Sequence, residues 1–200
     1  MSLPVLAFFR SQLHTKLPIS TTSFAGKTVI ITGSNTGMGL EAARHIVHLG
    51  ATKVILAVRS TSRGDAAAAS IAQSTGLSGI TEVWELDLAR YSSVRAFAAR
   101  AAAQLDRLDV VVENAGVYTE TFRLAEDGDE LSIAVNVVGT MLLSLLLLPK
   151  LRETAERFDT DVVLTFTGSF VHWMTKFPER KEENIFLGLA REKGARMIDR

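Results

Sequence analysis

Gly26-Lys27-Thr28-Val29-Ile30-Ile31-Thr32-Gly33-Ser34-Asn35-Thr36-Gly37-Met38-Gly39-Leu40-Glu41 is the stretch around which the rest of the chain is organised. A β-branched run from Val29 to Thr32 meets three glycines within seven residues, and a helix-favouring segment, residues 40–49, follows at once. The pattern reads as strand, glycine-rich turn and helix. In that arrangement the glycines let backbone N–H groups approach a pyrophosphate at the positive end of a helix dipole. The chemistry favours a dinucleotide, and a plain loop of three glycines is the alternative that this stretch alone leaves open.

Working outward, the 200 residues are 47% apolar, enough to bury one core. The regular alternation of apolar runs argues for one dinucleotide-binding domain over residues 25–200, preceded by an extension, residues 1–24. Twenty-two basic and twenty-two acidic side chains balance. A nucleic-acid partner is therefore not expected, and a small neutral-to-polar ligand is. With no cysteine, disulfides and thiolate metal sites are excluded, and a reducing cytoplasmic setting is compatible. The apolar patch Leu3-Pro4-Val5-Leu6-Ala7-Phe8-Phe9 lacks the flanks of a secretory signal and is too short to span a bilayer. It is expected to pack on the domain surface, with interfacial anchoring as the alternative. The eight-residue run 141–148 is expected to be a helix buried on both sides rather than a membrane segment.

After the turn, helical spacing runs to Gly50 at the capping place, and residues 53–58 form a second continuous apolar run, as when helices cover both faces of a parallel sheet. No acid that could hold the ribose hydroxyls of NAD stands between Glu41 and Asp65. Arg59 ends the strand, with Arg63 four residues on, and a guanidinium suits a 2′-phosphate, so NADP is expected over NAD. A solvated loop charge is the other reading of Arg59. Residues 65–74 read as a helix broken by Gly76 and Gly79, residues 80–86 as a strand nearer the sheet edge, 92–105 as a helix, 108–112 as the fourth strand, 129–156 as a long helix and 161–166 as the fifth strand. His45 and His48 share a helix face, but no third ligand stands beside them, so no metal is expected.

The spacing Thr32-Gly33-x-x-x-Gly37-x-Gly39 carries one more residue between its first two glycines than the common fingerprint. With Asn114-Ala115-Gly116 after the fourth strand, it makes the chain resemble the short-chain dehydrogenases/reductases, of the retinol-dehydrogenase-like and fungal secondary-metabolite type. The resemblance implies an α/β fold, a Rossmann-type doubly wound parallel sheet in the order 3-2-1-4-5 with later strands missing. It implies hydride transfer between a nicotinamide and a carbonyl or alcohol substrate, and a homo-oligomer in a longer parent. It places Asp87, followed by Leu88, against the adenine; capping of the helix from Ser92 is the other role open to Asp87. Glu113 departs from the family's Asn-Asn-Ala-Gly, and a buried acid there needs donors.

The resemblance also makes Asn136, in Val135-Asn136-Val137-Val138-Gly139-Thr140, the residue that orders a proton-relaying water. A packing Asn satisfied by backbone is the alternative. Ser169, delivered by the fifth strand, is taken as the hydrogen-bond donor to the substrate carbonyl. It is not taken as a nucleophile, for no Gly-x-Ser-x-Gly elbow surrounds it and His172 has no orienting acid. The family's Tyr-x-x-x-Lys pair is absent: Tyr91 is followed at that offset by Arg95 and Tyr118 by Phe122. Met197-Ile198-Asp199-Arg200 looks like the approach to that motif, so a chain cut short before it, with little turnover of its own, is expected. A shortened module that binds a dinucleotide without turnover is the second reading.

Overall fold

In the computed structural model the described residues are 3–16, 18–169, 176–193, 195 and 197. His172 and residues 198–200, on which two of the expectations above fall, lie outside them. The elements in order are α1 (Leu3–His14), β1 (Thr28–Thr32), α2 (Gly37–His48), β2 (Lys53–Val58), α3 (Thr61–Thr75), β3 (Thr81–Glu85), α4 (Tyr91–Gln104), β4 (Val110–Glu113), a single turn α5 (Leu131–Ile133), a π-helical turn (Ala134–Gly139), α6 (Thr140–Phe158), β5 (Val163–Phe166), a 3-10 turn (Pro178–Lys181) and α7 (Ile185–Leu189). The sheet runs β3-β2-β1-β4-β5 with every pairing parallel, the expected order.

The central strands β1, β2 and β4 are mostly apolar because both of their faces are covered, while the edge strands β3 and β5 are more exposed. Successive side chains point to opposite faces, so β1 divides itself between two cores. Ile30 joins Trp84, Phe97, Val111 and Leu147 under α4 and α6. Val29 and Ile31 join Ile46, Val47, Leu56 and Ile71 under α2 and α3. Trp84 stands edge-on to Phe97 at 5.6 Å, with the Arg100 guanidinium 4.0 Å from its ring centre, so β3 is well anchored despite its place at the edge.

Several boundaries differ from the sequence expectation. α2 begins at Gly37 rather than Leu40, which puts Gly37 and Gly39 into its first turn. α3 begins at Thr61, not Asp65. β4 starts two residues later than expected and includes Glu113 as its last strand residue; Leu108, before it, donates its N–H to Thr154 Oγ1 of α6 at 2.8 Å. The long helix expected over 129–156 starts at Leu131 and changes pitch: Ala134–Gly139 is a π turn, where Thr140 Oγ1 donates to the Val135 carbonyl at 2.8 Å. The wider turn presses Gly139 onto the loop after β3, where a Cβ would stand 2.2 Å from the Leu88 carbonyl oxygen.

The expectation of a doubly buried helix over residues 141–148 is corrected. Leu143 and Leu147 are sealed against the sheet, but Met141 and Leu145 are 46% and 65% exposed. One stripe of α6 packs on the sheet beside β4, which leaves the opposite leucines on the surface. The helical stretch Leu131–Phe158 is long and apolar enough to cross a membrane by length and composition, with 44% of its most apolar window buried in the protein.

The extension is helical over α1, and its distal part returns to the domain. Phe24 N–H donates to the Leu49 carbonyl at 2.9 Å, and the His45 ring meets the Ser20 carbonyl at 3.1 Å. His45 is thus half-buried under this segment rather than a solvated face residue, while His48 is exposed.

Candidate functional site

Four connections leave the carboxyl ends of β1, β2, β3 and β4 and converge on one groove, lined by Gly33, Asn35, Arg59, Asp87, Ala115 and Gly116 among others. Their convergence follows from the parallel sheet, in which every strand ends on the same side. The turn after β1 supplies the floor. Gly33 has φ +66°, and a Cβ on it would stand 2.9 Å from Ala115 Cα, so glycine is required for both reasons. Gly39 is squeezed harder: its Cβ would meet Asn114 Nδ2 at 2.5 Å and the Gly33 carbonyl oxygen at 2.6 Å.

Thr36 precedes α2 in extended conformation and makes no side-chain cap, and the first turn holds no acidic residue. The orphan N–H groups of that turn are therefore left for a ligand and suit an anion. Met38 is 73% exposed and lines none of these hollows. Thr36 and Arg63 share an adjoining recess with Asn35 and Ser70. Arg59 and Arg63 meet over a further recess of about 250 Å³ with Asn35 and Ser60.

Two of the named turn residues face inward. Ser34 is fully buried and its hydroxyl donates to the Ile31 carbonyl at 2.9 Å. Thr32 is also fully buried, and its Oγ1 accepts the N–H groups of Asn114 at 2.9 Å and Ala115 at 3.0 Å. Asn114 returns the tie by donating from Nδ2 to the carbonyls of Thr32 at 3.1 Å and Gly33 at 3.4 Å. These hydrogen bonds lock the loop after β4 to the turn after β1. Their side chains build the groove rather than line it.

Asp87 does not cap α4. Its Oδ1 accepts the Ala89 N–H at 3.0 Å, closing a local turn, and its carboxylate lies 3.4 Å from Arg90 Nε. The intervening residues 88–90 carry the chain to the helix start, where Tyr91 N–H donates instead to Asp127 Oδ2 at 2.9 Å. The Tyr91 hydroxyl donates to Asp129, and burial together with that carboxylate pushes the phenol well above its usual range.

A second cavity, of about 610 Å³, brings Ser169 and Asn136 together with Asn114, Gly116, Tyr118 and Phe166. Asn136 is exposed, not enclosed by its apolar neighbours, and its amide is spent on backbone: Nδ2 donates to the Val117 carbonyl and Oδ1 accepts the Val117 N–H, both at 2.8 Å. It clasps the loop after Gly116 to the π turn.

Glu113, the departure from the family motif, is 3% exposed. Thr32 Oγ1 donates to its Oε2 at 3.2 Å and Ser144 Oγ lies 3.3 Å from its Oε1. Burial pushes this carboxyl up to about 7, with the two hydroxyls pulling the other way. Sequence reasoning had named the need for donors but not Ser144. The available signal was a lone serine in the leucine run of α6. Glu130 was missed altogether: it is fully buried and caps α5 by accepting the N–H groups of Ser132 and Ile133 at 3.0 and 3.2 Å, with the Thr119 hydroxyl at 3.3 Å.

Comparison with known proteins adds to this geometry. The short chain dehydrogenase family profile matches residues 27–165. The short chain dehydrogenase/reductase dmxR8 of Cryptosporiopsis sp. is 48% identical over 176 residues, 88% of this chain and 54% of that protein. The short-chain dehydrogenase anuD of Penicillium roqueforti is 44% identical over 199 residues, 100% of this chain and 51% of that protein. The chain thus spans about half the length of these curated relatives. A short chain dehydrogenase of Shigella flexneri, solved in complex with NADP, superposes with a TM-score of 0.61 at 26% identity, over 86% of this chain and 67% of that one. With its sheet order, its glycine turn clasped by Asn114, and a profile match over most of its length, this chain belongs to the short-chain dehydrogenase/reductase family.

Proposed function

We propose that this chain holds NADP(H) in the groove over the carboxyl ends of the sheet and is part of an oxidoreductase acting on a small carbonyl or alcohol substrate in secondary metabolism. The observation that carries the cofactor half is the recess formed by Arg59, Arg63, Asn35 and Ser60 beside the uncapped first turn of α2. Its two guanidinium groups suit a phosphate by paired charge-assisted hydrogen bonds. The groove fits such a ligand in a second respect: Gly33 and Gly39 leave no Cβ over it, and the inward turn of Ser34 keeps a side chain out of it.

When bound, the cofactor supplies or accepts the hydride. The chain's own residues do the rest. The α2 first-turn amides hold the diphosphate, and Arg59 and Arg63 hold the 2′-phosphate. Asp87 and Leu88 border the adenine, while Asn114, Ala115 and Gly116 give the floor under the ribose and nicotinamide. Ser169 donates to the substrate oxygen. Asn136, through its clasp on Val117, holds the loop after Gly116 beside the Ser169 cavity, and its remaining amide hydrogen and lone pair order the relay water. The likeness to the short-chain dehydrogenases of Cryptosporiopsis sp. and Penicillium roqueforti supports the oxidoreductase reading. The balanced charge and absence of cysteine support a cytoplasmic location without nucleic-acid partners, and the exposed leucine stripe of α6 supports a homo-oligomer.

Fluorescence titration with NADPH and NADH tests the reading. NADPH is expected to bind more tightly, and Arg59→Ala to weaken NADPH by roughly ten- to a hundredfold, since hydrogen bonds to charged groups contribute about 1.5–3 kcal/mol. NADH affinity should barely change. Equal losses for both nucleotides would remove Arg59 from the phosphate, and no binding of either would remove the cofactor itself.

A further inference from the structure

The floor of the Ser169 cavity contains a hydrogen-bond chain whose hydrogens can be counted. Thr32 Oγ1 already accepts two N–H groups, from Asn114 and Ala115, which occupies both its lone pairs. Its own hydrogen must therefore leave it, and Glu113 Oε2 at 3.2 Å is better placed than the Val112 carbonyl at 3.5 Å. On the other side, Ser144 Oγ lies 3.3 Å from Glu113 Oε1 and 2.8 Å from the Thr140 carbonyl oxygen.

With the 3.5 Å Val112 contact set aside as the weakest, three oxygen–oxygen contacts need three hydrogens, and the two hydroxyls bring two. A proton on Glu113 supplies the third. The loop amides then donate to Thr32, Thr32 to Glu113 Oε2, Glu113 Oε1 to Ser144, and Ser144 to the Thr140 carbonyl, with no contact left empty. Without that proton the single Ser144 hydrogen is divided between two acceptors, and a buried carboxylate is left short of donors.

Among the described residues of the elements around it, none compensates such a charge. β1 and β5 carry no ionisable side chain, and Glu113 is the only one on β4. The π turn carries none. On α6 the ionisable groups, Lys150, Arg152, Glu153, Glu156 and Arg157, start six residues beyond Ser144, with Lys150 and Arg157 both engaged by Glu153. In the loop after Gly116, Tyr118 lines the same cavity.

We infer that Glu113 is held as a neutral, hydrogen-donating acid and is a positioning residue for the Asn114-Ala115-Gly116 loop, so that loss of its proton loosens that loop and weakens the site's hold on an anionic dinucleotide. The second half rests on the cofactor reading given above. The direction follows from charge: a carboxylate in the floor of the site repels an anionic dinucleotide, so binding favours the protonated form and takes up a proton where the free protein lacks it. Each unit by which the nucleotide raises this pKa corresponds to a tenfold weaker affinity on the alkaline side.

The experiment has two readouts. In the first, side-chain carboxyl ¹³C resonances of the free chain, labelled at glutamate, are followed with pH and assigned by their loss in Glu113→Gln. A midpoint close to 7 is expected, matching burial of the group; titration in the ordinary glutamate range overturns the neutral acid. In the second, NADPH affinity is measured from about pH 6 to pH 9 for the wild type and Glu113→Gln; Gln keeps the shape but cannot titrate, and the nucleotide's own phosphate, ionising near pH ~6, is common to both. The wild type is expected to lose roughly tenfold more affinity than the variant across that range. Parallel curves overturn the coupling even if the carboxyl titrates near neutrality. Should neither protein bind NADPH at any pH while the carboxyl still titrates near 7, the cofactor reading falls, and the coupling with it. If Glu113→Gln does not fold, Ser144→Ala replaces it: removing the partner on Oε1 should move the carboxyl midpoint, and an unmoved midpoint overturns the chain.

Discussion

Gly39→Ala is expected to abolish useful dinucleotide binding while leaving the sheet intact. The added Cβ would enter a space already taken by Asn114 Nδ2 at 2.5 Å and the Gly33 carbonyl oxygen at 2.6 Å, and the second of these is backbone. One or both must move, which breaks the Asn114 clasp on the turn after β1. Overpacking of this kind costs about 1–3 kcal/mol, and if it falls on the binding-competent turn the affinity for NADPH drops roughly ten- to a hundredfold. Alanine favours helix over glycine by ~1 kcal/mol, so the variant's overall stability should change little. Calorimetric titration beside urea unfolding separates the two quantities. Unchanged affinity would show that the turn is not where the nucleotide sits.

Arg107→Ala is expected to have the largest effect on stability. Asp109 is fully buried just before β4, where its Oδ2 accepts the Thr28 N–H at 2.8 Å and its two oxygens take Nε and Nη2 of Arg107. The pair thereby ties the start of β1 to the strand beside it. Arg107 also lies 4.3 Å from the Phe158 ring centre, which closes the end of α6 over it. Removing one partner leaves an uncompensated buried charge, at a cost of about 3–5 kcal/mol. The Asp109 carboxylate raises the Arg107 guanidinium above its already high value. A raised cation stabilises the fold below its unfolded value and loses that contribution only as pH climbs through the folded one, so the stability difference between wild type and variant should stay constant across the neutral range. A loss under about 1 kcal/mol in urea at neutral pH would mean that solvent reaches Asp109.

Glu113 has the same sign for stability, but its window lies in the neutral range. Its carboxyl is raised in the folded protein from 4.5 to about 7. Stability from this group is therefore fully present below the lower value and is lost as pH rises through the higher one. Wild-type unfolding midpoints should fall between weakly acidic and weakly alkaline pH, and those of Glu113→Gln should not follow.

Much of this was legible in the residues. The apolar runs of β1, β2 and β4 implied strands covered on both faces, and the glycines at 33, 37 and 39 implied the turn, because close approach and positive φ are properties of a residue type. The resemblance carried by Asn114, Ala115 and Gly116 led to the right sheet order. Other features were not legible, and each failed for a reason of distance. The π turn at Ala134–Gly139 arises where Gly139 presses onto Leu88, 51 positions back in the chain. Asp87 looks like a cap for α4 in one dimension, but Asp127 occupies that role from a loop 36 residues downstream. Asn136 reads as an amide trapped among valines, whereas the helix turns it outward onto Val117.

By itself, the order of residues determined the alternation of strand and helix, the glycine turn at the head of α2 and the pair of arginines after β2, since periodicity, backbone freedom and side-chain charge act over a few neighbours. Only the tertiary structure decided that Thr32, Glu113 and Ser144 share one line of hydrogen bonds. They come from β1, β4 and α6, separated by 81 and 31 positions. How many hydrogens such a line holds depends on which oxygens the packed sheet and helix bring within reach, and no local pattern encodes that distance.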